Sequence, residues 1–380
     1  MKILHVVNIS FVIPYFLGEQ LNWFHQKGYE EYVVCSDSEE LESFSKKYSF
    51  SYKAIDVLRK ISIKKDLAAV YKTVKYIKQI KADIVVGHTP KGGLVAMLAA
   101  FLAHVPIRIY FRHGLVYETS KGIKRFILMN VDRFASLLAT KIVCVSPSVA
   151  ARSLEDKLND SQKQVVLLNG SCNGIDIERF SKDKISKEFF SATRMKYGIN
   201  EKDFVIGFTG RIVRDKGVID LINAFDILKE KYSNIKLMLV GMLEERDAIP
   251  QETINKIEED KSIIALGYIN NSEIEKYYAL MDVMILPSYR EGLGMSLLEA
   301  SSMGIPVIGT RVTGVVDAVV ENETGFFVNH DEKDIAEKIS YLIDNPSERD
   351  RLGRNGKEMV ATKFRQELVW KEIEKLYIEK

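Results

Sequence analysis

With 380 residues, 46% of them apolar and 28% charged, the chain has the balance of a soluble globular protein and the length for two domains of ordinary size. Its three cysteines, Cys35, Cys144 and Cys172, lie scattered in or beside apolar segments with no CxxC or Cys/His cluster, which excludes a disulfide framework or a zinc site and leaves reduced core thiols. The net charge of +2 hides a division: residues 1–170 carry 24 Lys+Arg against 15 Asp+Glu, the remaining 210 carry 30 against 37, so the first half is +9 and the second −7.

The opening Met1-Lys2-Ile3-Leu4 resembles a signal peptide, but Asn8, Ser10 and Pro14 break the apolar run and no small-x-small cleavage site follows, so it reads as a first strand, Lys2 to Asn8. A helix carrying Leu17, Leu21 and Phe24 runs to a stop at Gly28, and a strand, Glu31 to Cys35, follows. Helices near Glu39 to Tyr48 and Asp66 to Lys81, and strands at Ile84 to Val86, Ile107 to Arg112 and Lys141 to Ser146, continue an alternation that predicts an α/β, doubly wound parallel sheet. The run Gly93 to Val105 is too short to span a membrane, which takes about 20 residues, and contains His104.

In open sheets of this kind ligands bind beyond the carboxyl ends of the strands. The loops to inspect are therefore Asn8 to Glu19, His88-Thr89-Pro90-Lys91-Gly92-Gly93, and Arg112-His113-Gly114. A helix start at Gly92-Gly93 beside Lys91 would offer an anion site. Each lone histidine reads either as a satisfied structural residue or as a ligand contact.

The basic excess gathers at Arg59, Lys60, Lys64, Lys65, Lys72, Lys75, Lys78 and Lys81, and again at Lys121, Lys124, Arg125 and Arg133. A solvated helix face and an anionic membrane surface are the two readings. Nucleic acid is disfavoured, because Tyr71 and Tyr76 fall on helical rather than platform spacing. Ile123, Phe126, Ile127 and Met129 alternate with Lys124 and Arg125, a pattern that suits either a helix dipping into a membrane interface or one packed on a core.

A strand from Gln164 to Leu168 leads into the glycine- and asparagine-rich run Asn169 to Asp176, and a lysine-rich segment, Ser181 to Lys196, precedes a fresh strand, Phe204 to Phe208. That strand ends in Thr209-Gly210-Arg211-Ile212-Val213-Arg214-Asp215-Lys216-Gly217 before a helix, Val218 to Tyr232. Glycines permit a close backbone approach while Arg211 and Lys216 bring two cations to one loop, the pairing a diphosphate needs; the bland alternative is a surface ion-pair cluster around Asp215.

After strands at Lys236 to Gly241 and Ile263 to Leu266 comes the stretch from Met284 to Ile308: a buried strand, Asp282 to Leu286, a glycine-rich loop, a helix from Met295 stopped by Gly304, and a strand from Pro306 to Gly309. The helix start at Gly294-Met295-Ser296 presents amide groups and a positive dipole end to an anion. Glu291 before it and Glu299 about one turn inside it suit hydroxyl acceptance from a ribose or a sugar, or else are a solvated loop residue and a dipole-complementing glutamate. As a dinucleotide fingerprint Gly292-Leu293-Gly294 lacks its third glycine.

Arg290-Glu291-Gly292-Leu293-Gly294, the two glutamates with seven residues between them, and Gly304-Ile305-Pro306-Val307-Ile308 resemble the signature of retaining glycosyltransferases of family four. Gly210-Arg211 with Lys216-Gly217 fits that family's G-R-x4-K-G motif, and the resemblance, strongest over residues 207–328, covers nearly the whole chain. It implies an α/β chain of the GT-B fold, two facing Rossmann-like doubly wound domains with a cleft between them. The acceptor-binding domain would take residues 1–170, the donor-binding domain 171–363 through a linker at Asn169 to Asp176, and a last helix over 364–380 would cross back onto the first domain through Leu368, Val369, Ile373 and Leu376.

The same resemblance assigns roles. His113, Arg211, Lys216 and Glu291 form the catalytic set: His113 and Glu291 touch the transferred sugar, Arg211 and Lys216 the donor diphosphate. Gly18, Gly210, Tyr268, Ile269, Gly292, Leu293, Gly294, Met295, Ser296 and Glu299 bind the rest of the donor, with Glu299 on the ribose and the turn at Tyr268-Ile269 gripping the base through its backbone. One departure stands in the first loop, where the family's paired glycines are Leu17-Gly18, leaving Gly18 alone near the donor phosphate.

Implied is transfer of a sugar from a nucleotide donor, UDP-linked, to a glycan or lipid-linked glycan in bacterial surface polysaccharide synthesis. The work would be done in the cytoplasm, at the inner face of the plasma membrane if the basic half meets anionic lipid. No D-x-D motif occurs, so no metal or other cofactor is expected, and Arg211, Lys216 and the helix N-terminus would stabilise the leaving diphosphate. Retention usually calls for a nucleophile on the far face of the sugar; with no candidate in the sequence, same-face attack assisted by the leaving phosphate is expected. A dinucleotide-dependent oxidoreductase would need G-x-G-x-x-G between Asn8 and Gly18, where it is absent. A non-catalytic nucleotide-sugar-binding protein or a nucleotide-sugar epimerase would share the donor contacts, though an epimerase needs no lipid-facing basic patch.

Overall fold

The computed structural model describes residues 1–58, 62–245 and 247–378. They divide into two compact units, residues 1–174 with 367–380, and residues 175–366. Arg59 and Lys60, counted above in the basic run, lie outside the described residues.

In the first unit the strands are β1 (Lys2–Val6), β2 (Glu30–Cys35), β3 (Ser51–Ala54), β4 (Ile84–His88), β5 (Ile107–Arg112), β6 (Lys141–Cys144) and β7 (Gln164–Val166). Among the described residues they form one sheet in the order β3-β2-β1-β4-β5-β6-β7, every pair parallel. Between them run α1 (Ile13–Phe16), α2 (Glu19–Gln26), α3 (Leu41–Lys47), α4 (Ile63–Ile80), α5 (Pro90–Leu102), α6 (Gly122–Leu138) and α7 (Pro147–Glu155). Parallel strands covered by helices on both faces read as unbroken apolar runs, and β4 is buried along its whole length. One core cluster gathers Leu4, Val85, Val95, Tyr110 and Ile142, and a second gathers Val7, Leu17, Leu21, Val33 and Phe50. All three cysteines are free and buried.

The sequence misses β3, and the reason is physical: this edge strand is exposed at every position and is held to β2 by backbone bonds, so it carries no apolar alternation. The expected single helix through Leu17 is split in two, because Gly18 sits at φ +45° and a Cβ there would meet the Pro14 carbonyl oxygen at 2.7 Å. The helix expected to start at Gly92-Gly93 starts at Pro90 instead, where proline's missing N–H costs nothing and Thr89 accepts from the Gly92 amide. Lys91 is committed to Asp66, so the proposed anion site there is not formed as expected.

The second unit runs α8 (Lys187–Lys196), β8 (Phe204–Thr209), α9 (Val218–Lys231), β9 (Ile235–Val240), α10 (Gln251–Glu259), β10 (Ile263–Gly267), α11 (Ile274–Tyr278), β11 (Val283–Leu286), α12 (Met295–Ser302), β12 (Val307–Thr310), β13 (Gly325–Val328), α13 (Glu332–Asp344) and α14 (Pro346–Lys363). Its sheet is ordered β10-β9-β8-β11-β12-β13, again all parallel. Both units are thus Rossmann-like α/β layers.

The last helix, α15 (Gln366–Ile378), belongs with the first unit almost throughout. Val369, Ile373 and Leu376 are buried as expected, while Leu368 is exposed. Trp370 donates its indole N–H to the Asn173 carbonyl at 3.0 Å, and Tyr377 packs on Phe24 with ring centroids 5.1 Å apart.

Candidate active site

In the second sheet the chain leaves β8 outward through β9 and β10, then returns to β11 on the opposite side of β8. β8 and β11 therefore flank a topological switch point, where loops diverge to opposite faces and leave a crevice. The loop after β8 carries Gly210, Arg211 and Lys216, and the loop after β11 carries Glu291, Gly292, Leu293 and Gly294.

The two loops are bound together. Lys216 Nζ is ion-paired with Glu291 Oε1, both side chains being largely covered. Arg290 donates from Nε and Nη2 to Asp215 Oδ2 at 3.0 and 2.7 Å, and the Tyr289 amide donates to the Asp215 carbonyl at 2.8 Å. Gly217, left-handed at φ +68°, lies so close to β11 that a Cβ would stand 2.0 Å from the Pro287 carbonyl oxygen, so no other residue fits. Ser288, wholly buried, donates to Glu291 Oε1 at 2.8 Å, and the Glu291 amide donates to the Thr313 carbonyl at 3.2 Å.

Arg211 is paired instead with Glu244, at 3.0 Å, and stays half exposed. The end of β8 also carries Thr209, whose closed-off Oγ1 has no hydrogen-bond partner among the described residues. Helix α12 begins at Met295 with Gly294 left-handed at its cap and no side chain capping it; Met295 and Ser296 are half-buried there and Leu293 packs inward. Glu299 Oε2 accepts from the Tyr278 hydroxyl at 2.7 Å. Burial pushes the Glu299 carboxyl up to about 7, against the pull of the Tyr278 hydrogen bond and of Arg179, which is itself paired with Glu275 at 2.8 Å. Tyr268, exposed, and Ile269, half-buried, follow β10, and the Gly267 carbonyl before them accepts from the Gly241 amide at 2.9 Å.

His113 and Gly18 belong to the first unit. His113 follows the last residue of β5, Arg112, whose guanidinium is completely buried and anchored on Asp132 Oδ1 at 2.6 Å. Phe16, two residues before Gly18, stacks on the His113 ring at 3.8 Å, so the first loop and His113 form one surface. The sequence offered no sign of Tyr278 or Ser288 as partners of the two glutamates, since Tyr278 lies in a segment without a motif and Ser288 falls just before the Arg290-Glu291-Gly292-Leu293-Gly294 motif rather than within it. Nor did it reveal that His113 is hydrogen-bonded to His88, Nε2 to Nδ1, at 3.1 Å. Among the described residues no group of three or more His, Cys, Asp or Glu is placed to hold a metal ion.

The model described as Glycosyltransferase Family 4 matches residues 16–179, and that described as Glycosyl transferases group 1 matches residues 189–359. The chain is 36% identical over 379 residues to the capsular polysaccharide biosynthesis glycosyltransferase CapM of Staphylococcus aureus, covering 99% of this chain and 96% of that one. It is 26% identical over 300 residues to the UDP-Gal:alpha-D-GlcNAc-diphosphoundecaprenol alpha-1,3-galactosyltransferase of Escherichia coli, covering 78% and 75%. Anabaena HepE, solved in complex with UDP and glucose, shares the fold with a TM-score of 0.82 at 18% identity over 100% of both chains. WaaG, a glycosyltransferase involved in lipopolysaccharide biosynthesis, shares it with a TM-score of 0.76 at 16% identity over 100% of both chains. The switch-point loops, their motifs and these relatives agree: the chain belongs to the family-four glycosyltransferases and has the GT-B fold.

Proposed function

We propose that the protein moves a sugar from a UDP-linked donor to a hydroxyl of a glycan or lipid-linked glycan, with retention and without a metal, in the building of a bacterial surface polysaccharide. The observation that carries this reading is the Lys216 to Glu291 pair at the β8/β11 switch point, a cation and a carboxylate held side by side where the fold leaves its crevice. Lys216 and Arg211, with Gly210 and the α12 N-terminus, take the diphosphate; Glu299 accepts the ribose hydroxyls; the Tyr268-Ile269 backbone takes the base. Glu291, with Gly292, Leu293, Gly294, Met295 and Ser296 shaping the loop around it, meets the sugar, and His113 and Gly18 serve sugar and phosphate from the first unit.

In the proposed step the bond from the anomeric carbon to the donor phosphate breaks as the acceptor oxygen bonds to the same face. The acceptor's proton passes to the departing phosphate, whose growing charge the two cations stabilise.

A lipid-borne acceptor draws support from the first unit. Ile123 and Phe126 of α6 are 80% and 67% exposed, Ile127 is exposed too, and only Met129 packs toward the core, so the core-packing alternative fails for three of the four. Phe126 and Ile127 line an apolar groove of about 470 Å³ together with Ile63, Leu67, Leu94, Leu98 and Phe134, and Lys64, Lys65, Lys121 and Lys124 are exposed nearby in sequence. Exposed apolar side chains with cations near them in sequence suit an anionic bilayer surface, which supports a position for the enzyme at the cytoplasmic face of the plasma membrane. No helix of the described residues is long and apolar enough to cross a membrane.

A panel of nucleotide sugars tested by thermal shift, each hit then assayed for transfer, tests the reading; a ligand at 100 times its dissociation constant adds about 2.7 kcal/mol of stability. If no UDP-sugar raises the melting temperature, or the hits hydrolyse or bind without transfer to any glycan acceptor, the proposal fails.

A further inference from the structure

Four polar side chains cross the interior of the first sheet on neighbouring strands. Glu31 on β2 meets His5 on β1, Oε2 to Nε2, at 3.1 Å; His5 Nδ1 meets His88 Nε2 on β4 at 3.1 Å; His88 Nδ1 meets His113 Nε2 beyond β5 at 3.1 Å. Glu31, His5 and His88 are buried, and only His113 is partly open. Phe16 and Phe111 stack along the chain, at 3.8 Å from His113 and 5.1 Å from His88, and screen it from water.

We propose that Glu31, His5 and His88 form a relay that holds His113 by its Nε2 and carries one proton between Glu31 and the outer nitrogen of His113, so that His113 Nδ1 changes between hydrogen-bond acceptor and donor as part of the relay rather than as an isolated imidazole.

The arrangement dictates the hydrogen-bond order. With Glu31 ionised and all three rings neutral, His5 donates from Nε2 to Glu31, His88 from Nε2 to His5, and His113 from Nε2 to His88, which leaves His113 Nδ1 as an acceptor. A proton arriving at His113 Nδ1 releases the Nε2 proton to His88 Nδ1. The His88 Nε2 proton then goes to His5 Nδ1, and the His5 Nε2 proton to Glu31 Oε2. Each N–H or O–H bond formed replaces one broken, the rings end neutral, and His113 Nδ1 has become a donor.

Burial is what makes the passage inward matter. It pulls His113 down to about 3 and His88 well below the usual imidazole range, the neighbouring rings lowering His88 further, so neither ring retains a charge of its own. Glu31 can receive the proton, because its other oxygen, Oε1, is buried with no hydrogen-bond partner among the described residues. The titratable groups facing the carboxylate are Tyr29 at the start of β2 and Tyr377 on α15, and burial raises both, keeping them neutral. His113 thereby becomes a group whose polarity toward a hydroxyl is set by three residues that never touch that hydroxyl. That this hydroxyl belongs to the donor sugar rests on the proposed function; the relay does not.

Nitrogen NMR of ¹⁵N-histidine-labelled protein without substrate reads the tautomer of each ring, and the chain has six histidines, of which His25 and His104 are exposed controls. As pH is lowered across the range in which the protein stays folded, the ring signals of His5, His88 and His113 should move together with one midpoint, and Glu31→Gln, checked for folding by thermal melting, should abolish that movement while leaving the signals of His25 and His104 as they are in the wild type. The relay is overturned if His113 titrates alone, if the three rings keep fixed tautomers across the range, or if Glu31→Gln leaves the movement unchanged. Should Glu31→Gln not fold, the wild-type titration decides by itself.

Discussion

Lys216 Nζ is held on Glu291 Oε1, so the cation of the loop after β8 is already tied to the carboxylate of the loop after β11. A diphosphate entering the crevice would exchange one anionic partner of Lys216 for another without first ordering the lysine. Lys216→Met should lower kcat/KM by about 100- to 1,000-fold, roughly 2.7–4 kcal/mol of transition-state stabilisation. Arg211→Ala should weaken donor binding and leave the melting temperature unchanged, because its pairing with Glu244 is half exposed and contributes little. Wild-type donor affinity in both variants would remove the diphosphate assignment.

Glu291 and Glu299 have different neighbours, and their variants should fail differently. Glu291 stands beside Lys216 and Ser288, where the sugar is assigned, so Glu291→Gln should mainly lower kcat. Glu299 sits inside α12 against Tyr278, where the ribose is assigned, so Glu299→Gln should mainly raise KM and the dissociation constant for the donor. Steady-state kinetics with the opposite split would reverse the nucleotide's orientation.

The raised carboxyl of Glu299 also predicts a pH dependence. Its folded-state value of about 7 lies above the ordinary 4.5, so across that interval the folded chain holds a proton that the unfolded chain has lost. Stability contributed by that proton is complete below the lower value and disappears as pH rises through the upper one. Relative to Glu299→Gln, the wild type should lose roughly 3 kcal/mol between pH 4 and 8, as read by chemical denaturation. If the ionised carboxylate receives the ribose, affinity for UDP-glucose should rise through pH 7 in the wild type and stay flat in Glu299→Gln.

Arg112 and Asp132 offer a control for the strand end that carries His113. Their pair is buried and reinforced by Ser136, which accepts from Arg112 at 2.7 Å. Asp132→Ala would leave a guanidinium buried without its counter-charge and should cost about 3–5 kcal/mol in denaturant unfolding. A loss under 1 kcal/mol would mean that water reaches Arg112.

The sequence disclosed the switch-point loops because their requirements are local. Gly217 against Pro287, the cations after β8 and the glutamates around α12 are all written within short motifs whose glycines permit close approach. The His5, His88 and Glu31 relay is the opposite case, one buried polar residue in each of three strands whose buried positions are otherwise apolar or glycine, brought together only by the β2-β1-β4 order of the sheet. Tyr278 is hidden in the same way, being a core aromatic by pattern whose hydroxyl happens to reach Glu299. The exposure of Phe126 could not be read from its spacing either, because the same helical period serves a face turned to a core and a face turned to lipid.

That exposed face sets the last prediction. Ile123, Phe126 and Ile127 on α6, with Ile63, Leu67 and Tyr71 on α4, leave an unusual amount of apolar surface uncovered in a unit whose first 170 residues carry a net +9. Cations alone would give binding that salt abolishes; apolar insertion alone would give binding indifferent to lipid charge. Together they should give sedimentation with phosphatidylglycerol vesicles but not with phosphatidylcholine vesicles at low salt, falling steeply as salt is added, since surface attraction is screened over about 8 Å at physiological ionic strength. Phe126→Ser with Ile123→Ser should weaken binding to the anionic vesicles at every salt concentration, whereas Lys64→Glu with Lys124→Glu should chiefly flatten its salt dependence. Donor affinity should be untouched in both pairs, because none of these residues is assigned to the donor. If the wild-type protein stays in the supernatant with anionic vesicles at low salt, the acceptor does not reach the enzyme from a membrane surface and a soluble glycan takes its place.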